Sequence, residues 1–401
     1  MQSSQVDRRQ RRFLTLVFVP LAFSLFLYLS MSGSTSRADE GAMLLHKRSH
    51  LASSHVRSNS MIMRSARLRS PSSRGPLALP RDGFLETMAD AVTGGGGDTT
   101  AAQAGVTNPL GRGQDPNPFS REEDGVRTYY FPTIDFGTGV YMQTSTDLNT
   151  VLSVPTNEKK IFTYDKEVGT EAPAYFRWDD DNNLLVISSV GPQGNGLLRM
   201  LHSTSQDLLT GWEDLGPVKD GSGNKLVNYD GFIFQHPNGK RYLLYSALKS
   251  ILITELTSFN TVGKSLTIVT GNGQVIEAPA AFISGDTLNL LWSENGFATP
   301  DYNTRRRAVS THSDPMDPST WRFADSKTIL QSGNGVYGTG SVGVFTGPDG
   351  QPWLAYTCFY DPNGFPQSIN PRRVQAQPLV IENDVIQSME PDAPTGPTGT
   401  T

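Results

Sequence analysis

The chain carries one cysteine, Cys358, in 401 residues. No internal disulfide can form, so any folded domain must hold itself by a buried core large enough for the purpose. An excess of one charge is missing too. Lys and Arg number 34 against 39 Asp and Glu, a formal net charge of -5, which gives nucleic acid no electrostatic footprint. No Gly-x-Ser-x-Gly elbow occurs, so a serine hydrolase has no support. The run Gly94-Gly95-Gly96-Gly97 is not a phosphate loop, because no strand precedes it and no Gly-Lys-Ser/Thr follows. His202, His236 and His312 lie at turns or strand ends without metal-ligand spacing. Helical periodicity is weak throughout, and long apolar runs are lacking after residue 31.

One long apolar run is present. Residues 13–31 are almost wholly apolar and follow a basic segment at 1–12 with Arg8, Arg9, Arg11 and Arg12. Two readings stand: a signal anchor spanning the membrane with residues 1–12 in the cytosol, or a signal peptide cleaved near Ser32-Gly33-Ser34. Both send the body of the chain into the secretory route, as a type II single-pass membrane protein or a secreted one. Residues 41–80 contain no acid but hold Lys47, Arg48, Arg57, Arg64, Arg67, Arg69 and Arg74 among serines. With the glycine run, this predicts a disordered stem or linker over 32–104. A folded domain is expected over 105–388, and a disordered tail over 389–401.

Within 105–388 the sequence repeats itself. Glu171-Ala172-Pro173-Ala174 and Glu277-Ala278-Pro279-Ala280 each lead through a polar turn into an apolar run, Leu184 to Ile187 and Leu288 to Ser293. Asp230-Gly231-Phe232 and Asp115-Pro116-Asn117 do the same, and Gly338-Thr339-Gly340-Ser341 is a fifth copy without an acid. Hairpins of short strands recurring at roughly 50 residues predict an all-β fold, a five-bladed β-propeller. In a propeller the first strand of each blade lines the axis. Asp115, Glu171, Asp230 and Glu277, read as sharing one repeat position, should therefore converge at one end. Crowded carboxylates separate into acid and base by shifting each other's proton affinity.

A second repeat closes the blades. Ser/Thr-rich turns with Asp147, Asp207 and Asp314 are followed in two blades by Trp212 and Trp321, expected to pack between blades. Cys358 follows an apolar strand and reads as buried filler. Asp179-Asp180-Asp181 has the look of a glycosyltransferase metal motif, but it sits between two short strands and reads as a hairpin turn.

The ordered set of these motifs resembles glycoside hydrolase family 43, over about residues 105–388. The resemblance implies an inverting glycosidase acting on arabinose- or xylose-containing glycans, with a carbohydrate as its only required partner and a monomer as its form. On the matching positions it makes Asp115 the general base, Asp230 the third carboxylate that orients and tunes the acid, and Glu277 the general acid. Arg372 and Arg373 fall where the family has an arginine near the substrate. Two departures stand out. Glu171 replaces an aromatic before Ala-Pro and is expected to bind a sugar hydroxyl. Ser341 stands where the family often has a histidine that organises a calcium or a water, so no metal or other cofactor is expected. A propeller that only binds glycan or a protein is the alternative from another class. A β-fructosidase-like propeller fits less well, since only Asp115-Pro116-Asn117-Pro118 answers to the entry motif such enzymes carry.

Overall fold

The computed structural model describes residues 100–134, 139–152, 159–163, 169–190, 196–366 and 370–398. The basic segment, the apolar run and the stem as far as residue 99 lie outside the described residues. No helix among those described is long and apolar enough to cross a membrane.

Five antiparallel sheets follow one another as blades. Blade 1 runs Phe119–Glu123, Val126–Ile134, Gly139–Ser145 and Lys160–Thr163, and blade 2 runs Gly169–Arg177, Asn183–Val190, Gly196–Ser203 and Glu213–Pro217. Blade 3 has Tyr229–Gln235, Arg241–Ser246, Ser250–Ser258 and Leu266–Thr270, with two short extra strands at Lys219–Asp220 and Thr261–Val262. Blade 4 has Ile276–Ser284, Thr287–Glu294, Asn303–Ser310 and Ser326–Leu330. Blade 5 takes three strands from the C-terminal part, Tyr337–Thr346, Pro352–Phe359 and Arg373–Pro378, and its fourth, Gly111–Arg112, from the N-terminal part. That swap closes the ring, so no blade edge is left to end the array.

The apolar runs are continuous rather than alternating because a blade is covered on both faces. Leu184, Leu185, Val186 and Ile187 are all fully buried. Each of the five core clusters lies between two successive blades, including the closing pair, where Leu110, Tyr129 and Phe131 meet Phe345, Trp353 and Ala376. Trp212 joins the cluster between blades 1 and 2 and Trp321 the one between blades 3 and 4, as expected. Trp321 sits on the short helix Pro318–Arg322 rather than on a strand. Cys358 is buried between blades 4 and 5, and burial pushes its thiol up to about 12, which leaves it inert as a nucleophile.

Both predicted flanks are shorter than expected. Residues 100–104 form a turn of the folded domain, with Ala101 buried. The segment after 388 is bound as far as it is described. Asp392 Oδ2 accepts from the backbone N–H of Ala101 at 2.6 Å, and Thr395 and Gly396 donate to the carbonyl of Asn108 at 2.9 and 2.8 Å. Asn108 in turn exchanges two hydrogen bonds with Ala376 of blade 5. The composition reads as a disordered tail, but Met389, Asp392, Thr395 and Gly396 each give a backbone N–H to the folded domain.

Candidate active site

The five repeat copies share a backbone feature that composition does not show. Asp115, Ala172, Asp230, Ala278 and Ser341 all take left-handed φ values, between 46° and 54°. None is glycine, so each pays strain of roughly 1–2 kcal/mol. In blades 2 to 5 the pairing register slips at this point, the mark of a β-bulge. Pro173 and Pro279 occupy bulges where no ladder N–H is needed, and pairing resumes at Ala174 and Ala280.

The feature corrects the expected alignment. Asp115 and Asp230 occupy the left-handed position itself, together with Ala172, Ala278 and Ser341, although Asp115 lies ahead of its blade's first strand. Glu171 and Glu277 stand one residue earlier, level with Gln114, Tyr229 and Gly340. The four acids thus come from two adjacent positions, and the bulge lets both positions face the axis. Ser341 is the fifth-blade counterpart of Asp115, not of Glu277.

The acids do converge. A small axial cavity is lined by Asn117, Asp230 and Ser341 with Ala172, Gly231, Ala278, Pro279 and Val342. Asp230 Oδ2 accepts from the N–H of Ala278 at 2.9 Å, which ties it to the residue after Glu277. Ser341 Oγ donates to Asp115 Oδ1 at 3.0 Å. Tyr302 Oη donates to Glu277 Oε1 at 2.9 Å.

Proximity shows in proton affinity. Burial pushes Glu277 up to about 8, helped by the negative charges of Asp230 and Asp115, while the Tyr302 hydrogen bond and Arg372 pull the other way. Asp230 is pushed up to about 7 by burial and then by Asp115, against the Ala278 hydrogen bond. Glu171 reaches about 7 by burial and the charges of Asp115 and Asp230, with Arg372 opposing. Its side chain opens to water more than that of Glu277, so burial holds its proton less firmly.

The two arginines separate. Arg372 holds Asn370 and Gln114, stacks over Phe297 at 4.8 Å, and lies close enough to Glu171 and Glu277 to lower both. Arg373 is buried opposite Cys358 in blade 5, donates to the carbonyl of Pro371 and has Arg112, Tyr360 and Cys358 as its charged and titratable neighbours. It does not join the acids. The difference is one of position: Arg373 opens the strand Arg373–Pro378, while Arg372 stands just before it beside Asn370 and Gln114.

Other candidates fall away. Asp179 accepts from Asp181 N–H and the Asn182 amide within a hairpin turn, and Asp180 pairs with Arg177. His202 bonds Glu213 and Asn182. No group of three His, Cys, Asp or Glu among the described residues is arranged to hold a metal. One oxygen of Asp115 and one of Asp230 are already bonded within the protein, and Ser341 offers only a hydroxyl.

The sequence reading missed Tyr302, Gln114, Asn370 and a set of hydroxyls. Ser188, Ser246, Ser293 and Thr357 end the second strands of blades 2 to 5, paired opposite Glu171, Tyr229, Glu277 and Gly340. Ser188 Oγ accepts from Asp230 N–H at 2.8 Å, Ser246 Oγ donates to the carbonyl of Ile276 at 2.8 Å, and Ser293 Oγ accepts from Ser341 N–H at 2.7 Å. Each bond fastens the next blade's first strand at the site. The signal was legible as a Ser or Thr closing four apolar runs.

Known proteins share this architecture. The sequence model of Glycosyl hydrolases family 43 matches residues 106–385. Among solved structures, an alpha-L-arabinofuranosidase from Lactobacillus brevis superposes with a TM-score of 0.63 at 17% identity, covering 73% of this chain and 99% of the other. A xylan beta-1,4-xylosidase from Bacillus halodurans gives 0.54 at 17% identity, over 73% of this chain and 59% of that one. An endo-arabinase from Bacteroides thetaiotaomicron gives 0.52 at 16%, over 71% and 99%. At such identities these likenesses speak for the fold alone. A search of curated proteins found no match.

Proposed function

The chain belongs to glycosyl hydrolases family 43, and from that premise we propose that it cleaves arabinose- or xylose-containing glycans with inversion. Glu277 gives its proton to the leaving oxygen. Asp115 takes a proton from the water that attacks the sugar carbon from the opposite face. Inversion places two such carboxyls about 6.5–9.5 Å apart to admit that water. Asp230 holds a negative charge against Glu277 and, through Ala278, fixes the strand that carries it. Glu171 and Arg372 bind sugar hydroxyls.

The observation that carries this reading is the raised proton affinity of Glu277. An ordinary glutamic acid is ionised at neutral pH and has nothing to give, whereas one near 8 still holds its proton. The substrate class is favoured by the arabinofuranosidase, xylosidase and arabinase among the similar folds. We further propose that the enzyme works without a bound metal and acts along or beyond the secretory route, on the strength of residues 13–31. N-terminal sequencing of the mature protein decides anchor against cleaved signal.

Nitrophenyl α-L-arabinofuranoside, nitrophenyl β-D-xyloside and linear arabinan, offered to the purified protein, test the reading directly. Turnover of at least one, with the anomer inverted by NMR, is expected. Binding of oligosaccharide without turnover of any pentoside would install the binding-module alternative instead.

A further inference from the structure

Glu277 touches a residue that the roles above leave unused. Tyr302 lies just before the third strand of blade 4, is 1% exposed, and donates its hydroxyl to Glu277 Oε1 at 2.9 Å. Room for its ring exists because position 340 is glycine: a Cβ there would collide with the Tyr302 ring. Ser293 stands opposite Glu277 in register, close enough to Tyr302 for its hydroxyl to act on the phenol, and accepts the backbone N–H of Ser341 at 2.7 Å. Ser341 in turn gives its own hydroxyl to Asp115 Oδ1. Tyr302 therefore bonds Glu277 on blade 4 and stands beside Ser293, which is itself bonded to Ser341 and, through Ser341, linked to Asp115.

A phenol has a single proton, and here it is spent on Oε1. That oxygen is thereby fixed as the acceptor, so a protonated Glu277 carries its hydrogen on Oε2. We propose that Tyr302 is the positioning residue of the acid: it orients the Glu277 carboxyl so that Oε2, and not Oε1, delivers the proton to the leaving oxygen. The inference rests on Glu277 being the acid. Its electrostatic sign is opposite to that of Asp230. A donated hydrogen bond favours the ionised carboxylate, so Tyr302 moderates the elevation that burial and Asp230 produce. Without the phenol the proton would be held more tightly yet shared between two oxygens, of which one points the wrong way.

Tyr302→Phe keeps the ring that fills the space beside Gly340 and removes only the donor. In the full enzyme it is expected to lower kcat on a nitrophenyl pentoside about tenfold with KM nearly unchanged. On the dinitrophenyl analogue, which hardly needs protonation, the loss should stay below about threefold. The basic limb of the pH–rate profile should move up. In a Glu277→Gln background, Tyr302→Phe should cost nothing more, because both changes strike one step. A basic limb that stays put or moves down overturns the proposal, and so does a loss that adds in full to that of Glu277→Gln. Glu277→Gln activity that is indifferent to the leaving group would sink the acid assignment, and this inference with it. A purely packing role for Tyr302 would slow both substrates alike and leave the limb where it was.

Discussion

Asp230→Asn isolates the charge that keeps Glu277 protonated. The substitution is nearly isosteric, and an amide oxygen can still accept the Ala278 N–H that Asp230 Oδ2 now accepts. What disappears is a negative charge. Glu277 rises from 4.5 to about 8, with burial as the largest cause and Asp230 the next. Burial survives the substitution, so the elevation falls by about 1–2 pH units and no more. The upper bound is what a unit charge contributes at ~6 Å in an effective dielectric of ~20. The basic limb of kcat/KM, which reports the acid in the free enzyme, should therefore drop to about 6–7. Measured on a nitrophenyl pentoside from pH 4 to 10, the variant should approach wild-type rates at the acid end and lose about 5- to 50-fold at pH 8. With a dinitrophenyl leaving group the limb should flatten in both proteins. A limb that does not move, or that moves up, would refute the claim that Asp230 holds the proton on Glu277.

Asp115→Asn should cost about 10²–10⁴-fold on every leaving group, since an amide cannot take the proton from water; a leaving-group dependence in its rates would count against the base assignment. Glu277→Gln should be as slow on nitrophenyl pentosides but largely recovered on dinitrophenyl ones. Stability should also titrate. The raised carboxyls of Glu277, Asp230 and Glu171 bind protons in the folded state at pH values where the unfolded chain has released them. Their contribution is therefore full below about pH 4 and is lost as pH rises toward 7–8, so the melting temperature should fall across that window and fall less in Glu277→Gln. EDTA should leave the rate and the melting temperature unchanged; a loss restored by calcium would show that the axial residues hold a metal after all. Removing residues 389–401 should lower the melting temperature by several degrees, because Asp392, Thr395 and Gly396 bind Ala101 and Asn108, in the segment leading into the strand that closes the ring.

The propeller was legible because its period is long and its copies are ordered. Five acid-or-hydroxyl entries, five apolar runs and two Ser/Asp/Trp closures leave little other way to pair short strands. The alignment within the repeat was not legible to the residue. An acid at Glu277 and one at Asp230 look equivalent in a list of letters, and only the left-handed φ at Asp230 and Ala278 shows them offset by one. Arg372 and Arg373 could not be parted either, since nothing in the letters shows that the strand starts at Arg373 and leaves Arg372 outside it. Tyr302 was invisible because it comes from a loop 25 residues beyond its partner and belongs to no repeated position. The flanks were misread because Pro, Gly and Thr are ordinary loop residues as well as linker residues, and partners such as Asn108 and Gln377 lie hundreds of residues away or on another strand.

The arrangement of the site follows from what the chemistry needs and what a closed ring can supply. Acid and base must stand on opposite sides of one sugar carbon, so they cannot share a strand. Here the proposed base, Asp115, comes from the segment before blade 1 and the proposed acid, Glu277, from blade 4, with Asp230 on blade 3 between them in chain order. Their separation is set by blade-to-blade packing, which is strong because every interface is a buried cluster, and trimmed by hydroxyls that fasten one blade's second strand to the next blade's first. Asp115 lies just beyond Gly111–Arg112, the strand that completes blade 5, so its position is set by ring closure itself. Loosening that closure should therefore impair the base before it unfolds the ring: activity should fade at a lower temperature than the melting transition, and more so when Asn108, which holds both Ala376 and the C-terminal segment, becomes alanine. Activity and unfolding that coincide in both proteins would show that closure and core form one cooperative unit and that the latch has no separate hold on Asp115.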